Sequence, residues 1–362
     1  MFEPWINFDR VTGQAWTPPL PYFELIAGME PYCHKPMDPL KMNLAVFVLP
    51  QVQMRDRILF VITLACTLAA TASAQQPEGE AVFTSDSKLV ELHATVTGRD
   101  GTLLTDLPRS VFKVFENDIP QEIKVFRHED APVSLGLIID NSASMTDKHA
   151  RVAAALLTLV RASNPGDEEF VMEFNETPRI VQDFTQDTEQ LADKLKKADA
   201  RGQTALRDAV SMGIAHVARV GRNDRKVLVV VTDGEDNSSG LDLARLTREA
   251  EQRGVLVYAI GLLNDSNERE SARARKDLDT LTMATGGEAF YPKELDEVDG
   301  IATHVAQDLR NQYTIAYVPT DQRPDGTFRR IKLVVTSPPD AVVRTREGYY
   351  ASSHGESGGG SV

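Results

Sequence analysis

Cysteine is scarce, with two copies among 362 residues. They are Cys33 and Cys66, and both precede residue 75, where the mature chain is expected to begin (see below). The mature chain would then contain none. This excludes a disulfide scaffold, a zinc site built on thiolates and a cysteine nucleophile from the mature protein.

An excess of basic residues is also missing, because 39 Lys and Arg face 53 Asp and Glu, for a net charge of −14. A nucleic-acid surface needs clustered Lys and Arg, and the sequence contains no such cluster. We therefore expect no nucleic-acid partner, and expect charge to act through cations. The 42% hydrophobic content is typical of a globular chain and is enough for one large domain with smaller ones.

The segment "MRDRILFVITLACTLAATASAQQ" (54–76) has the pattern of a secretory signal peptide. Two arginines precede an apolar run, and Ala72-Ser73-Ala74 forms a small-residue cleavage site. We predict cleavage after Ala74 and an exported protein, which would be periplasmic, secreted or attached to the cell surface. The alternative is an uncleaved anchor, but the apolar run is shorter than the ~20 residues of a membrane-spanning helix.

The spacing of hydrophobic residues divides the remaining chain into regions of different predicted secondary structure. Short alternating runs rich in Val, Phe and Thr occur before Pro132 and again near the end, and both regions predict β-structure. The C-terminal strands either extend the N-terminal β unit or form a hairpin of their own. The predicted divisions are 1–53 (an over-extended gene model), 54–74 (signal peptide), 75–130 (small β unit), 131–311 (central domain), 312–350 (C-terminal β segment) and 351–362 (disordered tail).

Between these β regions, four nearly continuous apolar runs alternate with segments of helical spacing. This pattern predicts an open, mostly parallel, doubly wound α/β sheet with helices on both faces. We expect 178–184 to add an antiparallel edge strand. The predicted helices are 148–162, 186–198, 204–219, 241–253, 271–285 and 294–310.

Two of the apolar runs end in an acid: "LIID" at Asp140 and "VVVTD" at Asp233. Ligands of open α/β sheets bind at the carboxyl ends of the strands, where Ser142 and Ser144 also lie, at alternate positions. Carboxylates and hydroxyls without Cys or His favour Mg²⁺, Mn²⁺ or Ca²⁺ over zinc or copper. Each of these side chains could instead be a helix N-cap.

The stretch Asp140-Asn141-Ser142-Ala143-Ser144 is similar to the D-x-S-x-S signature of the metal-ion-dependent adhesion site (MIDAS) in von Willebrand factor type A domains. The flanks "VFKVFENDIPQEIKVF" and "RTREGYYA" resemble a bacterial exported subgroup of that family, labelled VWFA-related. The resemblance implies a doubly wound fold and a metal site that also uses a threonine and a later aspartate. Their counterparts here are Thr204 and Asp233.

The resemblance also implies the function. A Glu or Asp carboxylate of a partner protein would complete the shell of the bound cation, so we expect a protein-binding domain of the adhesion or scaffold type with no small-molecule cofactor. Glu235 and Asp236 lie nearby but are not predicted ligands.

Two other functions remain open. Asp140 could be the nucleophile of a Mg²⁺-dependent phosphoryl-transfer enzyme, although that chemistry normally uses a second acid where Ser142 stands. The G-x-x-x-x-G-K-[ST] motif is absent, and the single G-x-S-x-G match, at 355–359, lies in the glycine- and serine-rich tail rather than between a predicted strand and a helix. Alternatively, the cation could have a purely structural role and hold the loops together in a domain of an envelope assembly.

The cleavage site can be tested by expressing the chain from Met54 in a secreting bacterial host. We expect the exported product to begin at Gln75, as read from its intact mass and N-terminal sequence, and we expect Ala74→Asp to block processing. A mature product that keeps residues 54–74 would identify an uncleaved anchor.

Overall fold

The computed structural model describes residues 89–196, 200–263 and 267–351, all of which belong to one unit, Phe83–Val362. The segments 1–53 and 54–74 and the tail after residue 351 lie outside the described residues. Within the described ranges, no helix is both long and apolar enough to cross a membrane.

Fourteen strands and six α-helices make up the described chain. The strands are β1 (Val90–Thr97), β2 (Phe112–Glu116), β3 (Ile119–Gln121), β4 (Ile123–His128), β5 (Val133–Asp140), β6 (Glu168–Phe174), β7 (Arg179–Thr185), β8 (Arg225–Thr232), β9 (Leu256–Gly261), β10 (Ala289–Phe290), β11 (Tyr313–Tyr317), β12 (Phe328–Val335), β13 (Val342–Arg344) and β14 (Gly348–Tyr350). The helices are α1 (His149–Arg161), α2 (Thr188–Leu195), α3 (Leu206–Val220), α4 (Leu243–Arg253), α5 (Glu268–Thr285) and α6 (Val298–Arg310).

The central sheet has six strands in the order β10-β9-β8-β5-β6-β7. All neighbours are parallel except β7, which pairs antiparallel with β6 at one edge, so the predicted fold class and edge strand are both confirmed. Every residue of β5 is buried because helices cover both faces. Helices α1, α2 and α6 pack on one face, and α3, α4 and α5 pack on the other.

The predicted helices are present with shifted ends. The largest difference at a start is in α6, which begins at Val298 rather than at 294, because Leu295–Glu297 form a 3-10 turn. Helix α5 begins earlier than predicted, at Glu268, where the side chain of Asn267 accepts a hydrogen bond from the Glu270 N–H and caps the first turn.

The two flanking β regions form a sandwich. One sheet has the order β13-β1-β11-β4 and the other β14-β12-β2-β3, and both are antiparallel. Strand β11 lies between β1 and β4, and β12 pairs with β2, so the C-terminal strands extend the N-terminal unit. Alternate residues of β12 face a hydrophobic core that both sheets share.

A buried carboxylate joins the last helix of the α/β region to the sandwich. Asp308 of α6 is fully buried and accepts hydrogen bonds of 2.6 Å from both Thr95 Oγ1 of β1 and Tyr258 OH of β9. Its Oδ2 also pairs with the Arg344 guanidinium of β13. One carboxylate therefore links α6 to three separate strands, β1, β9 and β13.

We expect Asp308→Ala to lower the free energy of unfolding by about 3–5 kcal/mol, because it removes one of the two carboxylates that pair with the largely buried Arg344, the other being Glu288, and leaves two buried hydroxyls without their acceptor. The control is Asp299→Ala, which removes a 2.8 Å ion pair between Arg151 and a carboxylate that is 40% exposed. That change should cost at most about 1 kcal/mol. Urea unfolding compares the two variants, and equal losses would contradict a structural role for Asp308.

Candidate metal site

The site is built where β5 and β8 end. These strands pair in parallel with Ile139 opposite Val231, which places Asp140 beside Thr232. The Thr232 Oγ1 donates a 2.6 Å hydrogen bond to Asp140 Oδ2, and the Ser142 N–H donates a 2.9 Å bond to Asp140 Oδ1. The carboxylate of Asp140 is fully buried, and its orientation is set by both contacts.

The two serines face each other and the second acid. Ser142 Oγ lies 3.2 Å from Ser144 Oγ, and Ser144 Oγ donates a 2.7 Å hydrogen bond to Asp233 Oδ1. Neither serine caps a helix with its side chain: Ser142 precedes a short 3-10 helix without a capping bond, and the N-cap of α1 is Lys148. The geometry therefore does not support the helix-capping alternative for the serines.

Thr204 lies in a loop that is bonded to both other segments. The Ala143 N–H donates to the Gly202 carbonyl at 3.3 Å, and the N–H groups of Asn237 and Ser238 donate to the Thr204 carbonyl at 3.1 and 3.2 Å. Thr204 is buried and lies just before α3. All five predicted residues thus belong to three segments that meet at one edge of the sheet: the end of β5 with the loop after it, the loop before α3 and the loop after β8.

Burial dominates the electrostatics of the site. Desolvation raises the pKa of Asp140, the hydrogen bonds from Thr232 and Ser142 lower it in part, and the nearby Asp233 raises it further. Asp233 differs from Asp140 because the Lys148 ammonium pairs with its Oδ2. One of the two acids therefore has a cationic partner, whereas the contacts of the other are with a hydroxyl and a backbone N–H.

The donor set fits a hard divalent cation. It offers two carboxylates and three hydroxyls, and such oxygen donors suit Mg²⁺, Mn²⁺ or Ca²⁺. Across the ranges that the structure describes, no group of three or more His, Cys, Asp or Glu side chains could hold a metal ion. Mg²⁺ is commonly held by one or two carboxylates, with hydroxyls and waters completing its shell.

The other nearby acids have separate roles. Asp236 Oδ2 accepts a 2.7 Å hydrogen bond from the Arg207 N–H in the first turn of α3, and Glu235 lies 3.3 Å from Arg273. Sequence reasoning missed two residues, Thr232 and Lys148. The signal for Lys148 was a basic residue at the start of a helix, where cations are disfavoured.

Comparison with known proteins finds similarity over the α/β region of the chain. Residues 135–304 match the family model for the von Willebrand factor type A domain. Over 111 residues the chain is 32% identical to integrin alpha-M of Mus musculus, covering 30% of this chain and 9% of that protein. The chain spans less than a fifth of the length of the curated relatives it matches, with shares of 9% and 18%.

Two solved structures illustrate the structural similarity. An aerotolerance-related membrane protein from Bacteroides fragilis superimposes with a TM-score of 0.41 and 14% identity, over 49% of this chain and 98% of that one. Proximal thread matrix protein 1 from the mussel byssus, solved with a zinc-occupied MIDAS motif, gives a TM-score of 0.42 and 16% identity, over 54% and 49%.

The role of Thr232 as a support for Asp140 can be tested by Thr232→Val. The change leaves a buried carboxylate oxygen without its donor, so we expect a loss of about 1–3 kcal/mol of unfolding free energy. Thr303→Val, on the exposed side of α6, should stay within about 0.5 kcal/mol. Urea unfolding in EDTA measures both, and a Thr232→Val variant as stable as the control would contradict the assignment.

Proposed function

We propose that this chain is an exported protein that recognises another protein through a divalent cation, because residues 135–304 match the family model for the von Willebrand factor type A domain. The observation that carries the proposal is the meeting of three loops, with Asp140, Ser142, Ser144, Thr204 and Asp233, at the carboxyl edge of the central sheet. No other edge of the described chain combines this donor set with the family's signature.

The five residues would contribute different kinds of oxygen ligand to the cation. Asp140 supplies a buried carboxylate that Thr232 and the Ser142 N–H hold in position, as the residues behind a metal ligand commonly do. Ser142, Ser144 and Thr204 add neutral hydroxyls. Asp233 acts directly or through a water, since Ser144 and Lys148 engage its two oxygens. Mg²⁺ is the proposed ion, with Mn²⁺ or Ca²⁺ as alternatives.

When bound, the cation supplies a Lewis-acidic position to which a Glu or Asp carboxylate of the partner coordinates. Such a contact is charge-assisted and demands a defined orientation. The chain's own loops, among them 234–240, would then select the partner by what surrounds that carboxylate. This recognition involves neither nucleic acid nor an organic cofactor.

A phosphoryl-transfer enzyme is disfavoured by the same contacts. A nucleophilic Asp140 would have to present an oxygen to substrate, but its side chain is fully buried and both oxygens accept hydrogen bonds. The position for the second acid is Ser142, whose hydroxyl faces Ser144. A carboxylate oxygen that accepts one hydrogen bond keeps a second lone pair, so a small cation can still bind Asp140 where a substrate would not reach it.

The proposal is tested by Asp140→Asn, which removes the charge and keeps the shape. In calorimetric titration of the mature chain we expect Mg²⁺ affinity to fall at least about tenfold. Partner protein retained from a native envelope extract should also be lost, as in EDTA. The control is Glu249→Gln, which changes an acid of α4 that pairs with Arg253 at 3.3 Å outside the site and loop 234–240, and it should retain both Mg²⁺ binding and partner binding.

Two results would contradict the proposal. Equal partner retention in Mg²⁺ and in EDTA would show that binding does not need the cation. If EDTA alone unfolds the wild-type domain, as measured by circular dichroism, the cation has a structural role in holding the loops together.

A further inference from the structure

Lys148 is an unfavourable residue for its position. It is the N-cap of α1, a helix of 13 residues, and its side chain makes no capping hydrogen bond. Ser, Thr, Asp and Asn stabilise such positions, whereas a cation at a helix N-terminus opposes the helix dipole. The stability of α1 therefore does not explain why a lysine stands here.

The contacts of Lys148 lie in the candidate metal site. Its Nζ pairs with Asp233 Oδ2, while Asp233 Oδ1 accepts the 2.7 Å hydrogen bond from Ser144 Oγ. The Asp233 side chain is 1% exposed, and that of Lys148 is 28% exposed. A buried carboxylate and a lysine that still reaches solvent thus form a fixed pair beside Asp140.

This pair changes the charge that a cation meets. Asp140 and Asp233 alone would give the site a charge of −2, and Lys148 reduces it to −1. The two nearby arginines add no net positive charge to the site, because each is paired with an acid: Arg273 lies 3.3 Å from Glu235, and Arg207 lies 3.3 Å from Asp236. Arg207 also faces a second acid, Asp277, at 3.7 Å. The net charge is therefore zero for the Arg273 pair and −1 for Arg207 with its two acids.

We propose that Lys148 is a built-in counter-charge that lowers the site's affinity for its cation and leaves the loaded site positively charged toward the partner's carboxylate. This inference rests on the proposed function. A divalent ion would bring the site from −1 to +1, and a carboxylate would then neutralise it. Without Lys148 the loaded site would be neutral before the carboxylate arrives. Lys148 therefore exchanges cation affinity for partner affinity.

The test compares Lys148→Gln with Lys148→Arg and with Arg151→Gln. The first variant removes the charge and the second retains it. Arg151 lies one turn further along α1 and pairs with Asp299 at 2.8 Å instead of with Asp233. In calorimetric titration with Mg²⁺ alone, Lys148→Gln should bind the ion at least about tenfold more tightly than the wild type, because the variant lacks one positive charge next to the divalent ion. The two other variants should match the wild type.

Two further measurements do not depend on cation affinity alone. In EDTA, Lys148→Gln should melt below the wild type, because the Asp233 carboxylate loses its partner, and saturating Mg²⁺ should close that gap. In the Mn²⁺-loaded proteins, acetate serves as the carboxylate probe. Its binding, followed by water proton relaxation, should weaken for Lys148→Gln and be retained in Lys148→Arg.

The outcomes separate the two proposals. If the wild type binds Mg²⁺ and Lys148→Gln binds it no more tightly, the counter-charge is overturned and the proposed function stands. If neither protein binds Mg²⁺, both are overturned. If only Lys148→Gln binds, the counter-charge is supported and the proposed function of the native chain is overturned.

Discussion

The parallel register between β5 and β8 is the constraint on which the candidate site depends. It places Asp140 next to Thr232 and brings Asp233 within reach of Ser144. The register is fixed by packing, because four alternate residues of β5 fill the core on one face, whereas on the other face Gly136 lies so close to Phe170 and Leu228 that no side chain fits there. A slip of one residue would exchange the faces of every side chain in the strand. The core thus fixes the position of the polar edge.

Two fully buried aspartates of this chain differ in what compensates their charge. Asp308 has a guanidinium partner and two hydroxyl donors, which suits a permanent structural role. Asp140 receives its described contacts from a hydroxyl and a backbone N–H, and burial raises its pKa. A buried carboxylate with hydrogen bonds but no cation costs free energy. A cation that binds the folded state there would recover part of that cost and stabilise the domain.

The α/β fold and the position of the two acids at strand ends could be predicted from the sequence. Strands buried on both faces appear as continuous apolar runs, and the residue at which each run ends can be read directly. Strand pairing in the sandwich was not predictable: alternation in β12 shows which residues face inward but not that its partner is β2, over 200 positions away. The contact between Lys148 and Asp233 was equally hidden, since it depends on where α1 begins relative to the end of β8. Whether all five predicted residues hold a cation stays a prediction.

The sandwich and the candidate site lie at opposite edges of the central sheet. Asp167 accepts a 2.8 Å hydrogen bond from the Val133 N–H at the start of β5 and a 2.6 Å bond from Arg310 at the end of α6. The chain therefore enters and leaves the α/β region at the amino edge, where β4 and β11 continue into the sandwich. Because the loops after β5 and β8 project from the carboxyl edge, the covalent connections to the sandwich do not cross them. The directions of β5 and α6 thus keep the attachment of the sandwich away from the edge that carries Asp140 and Asp233.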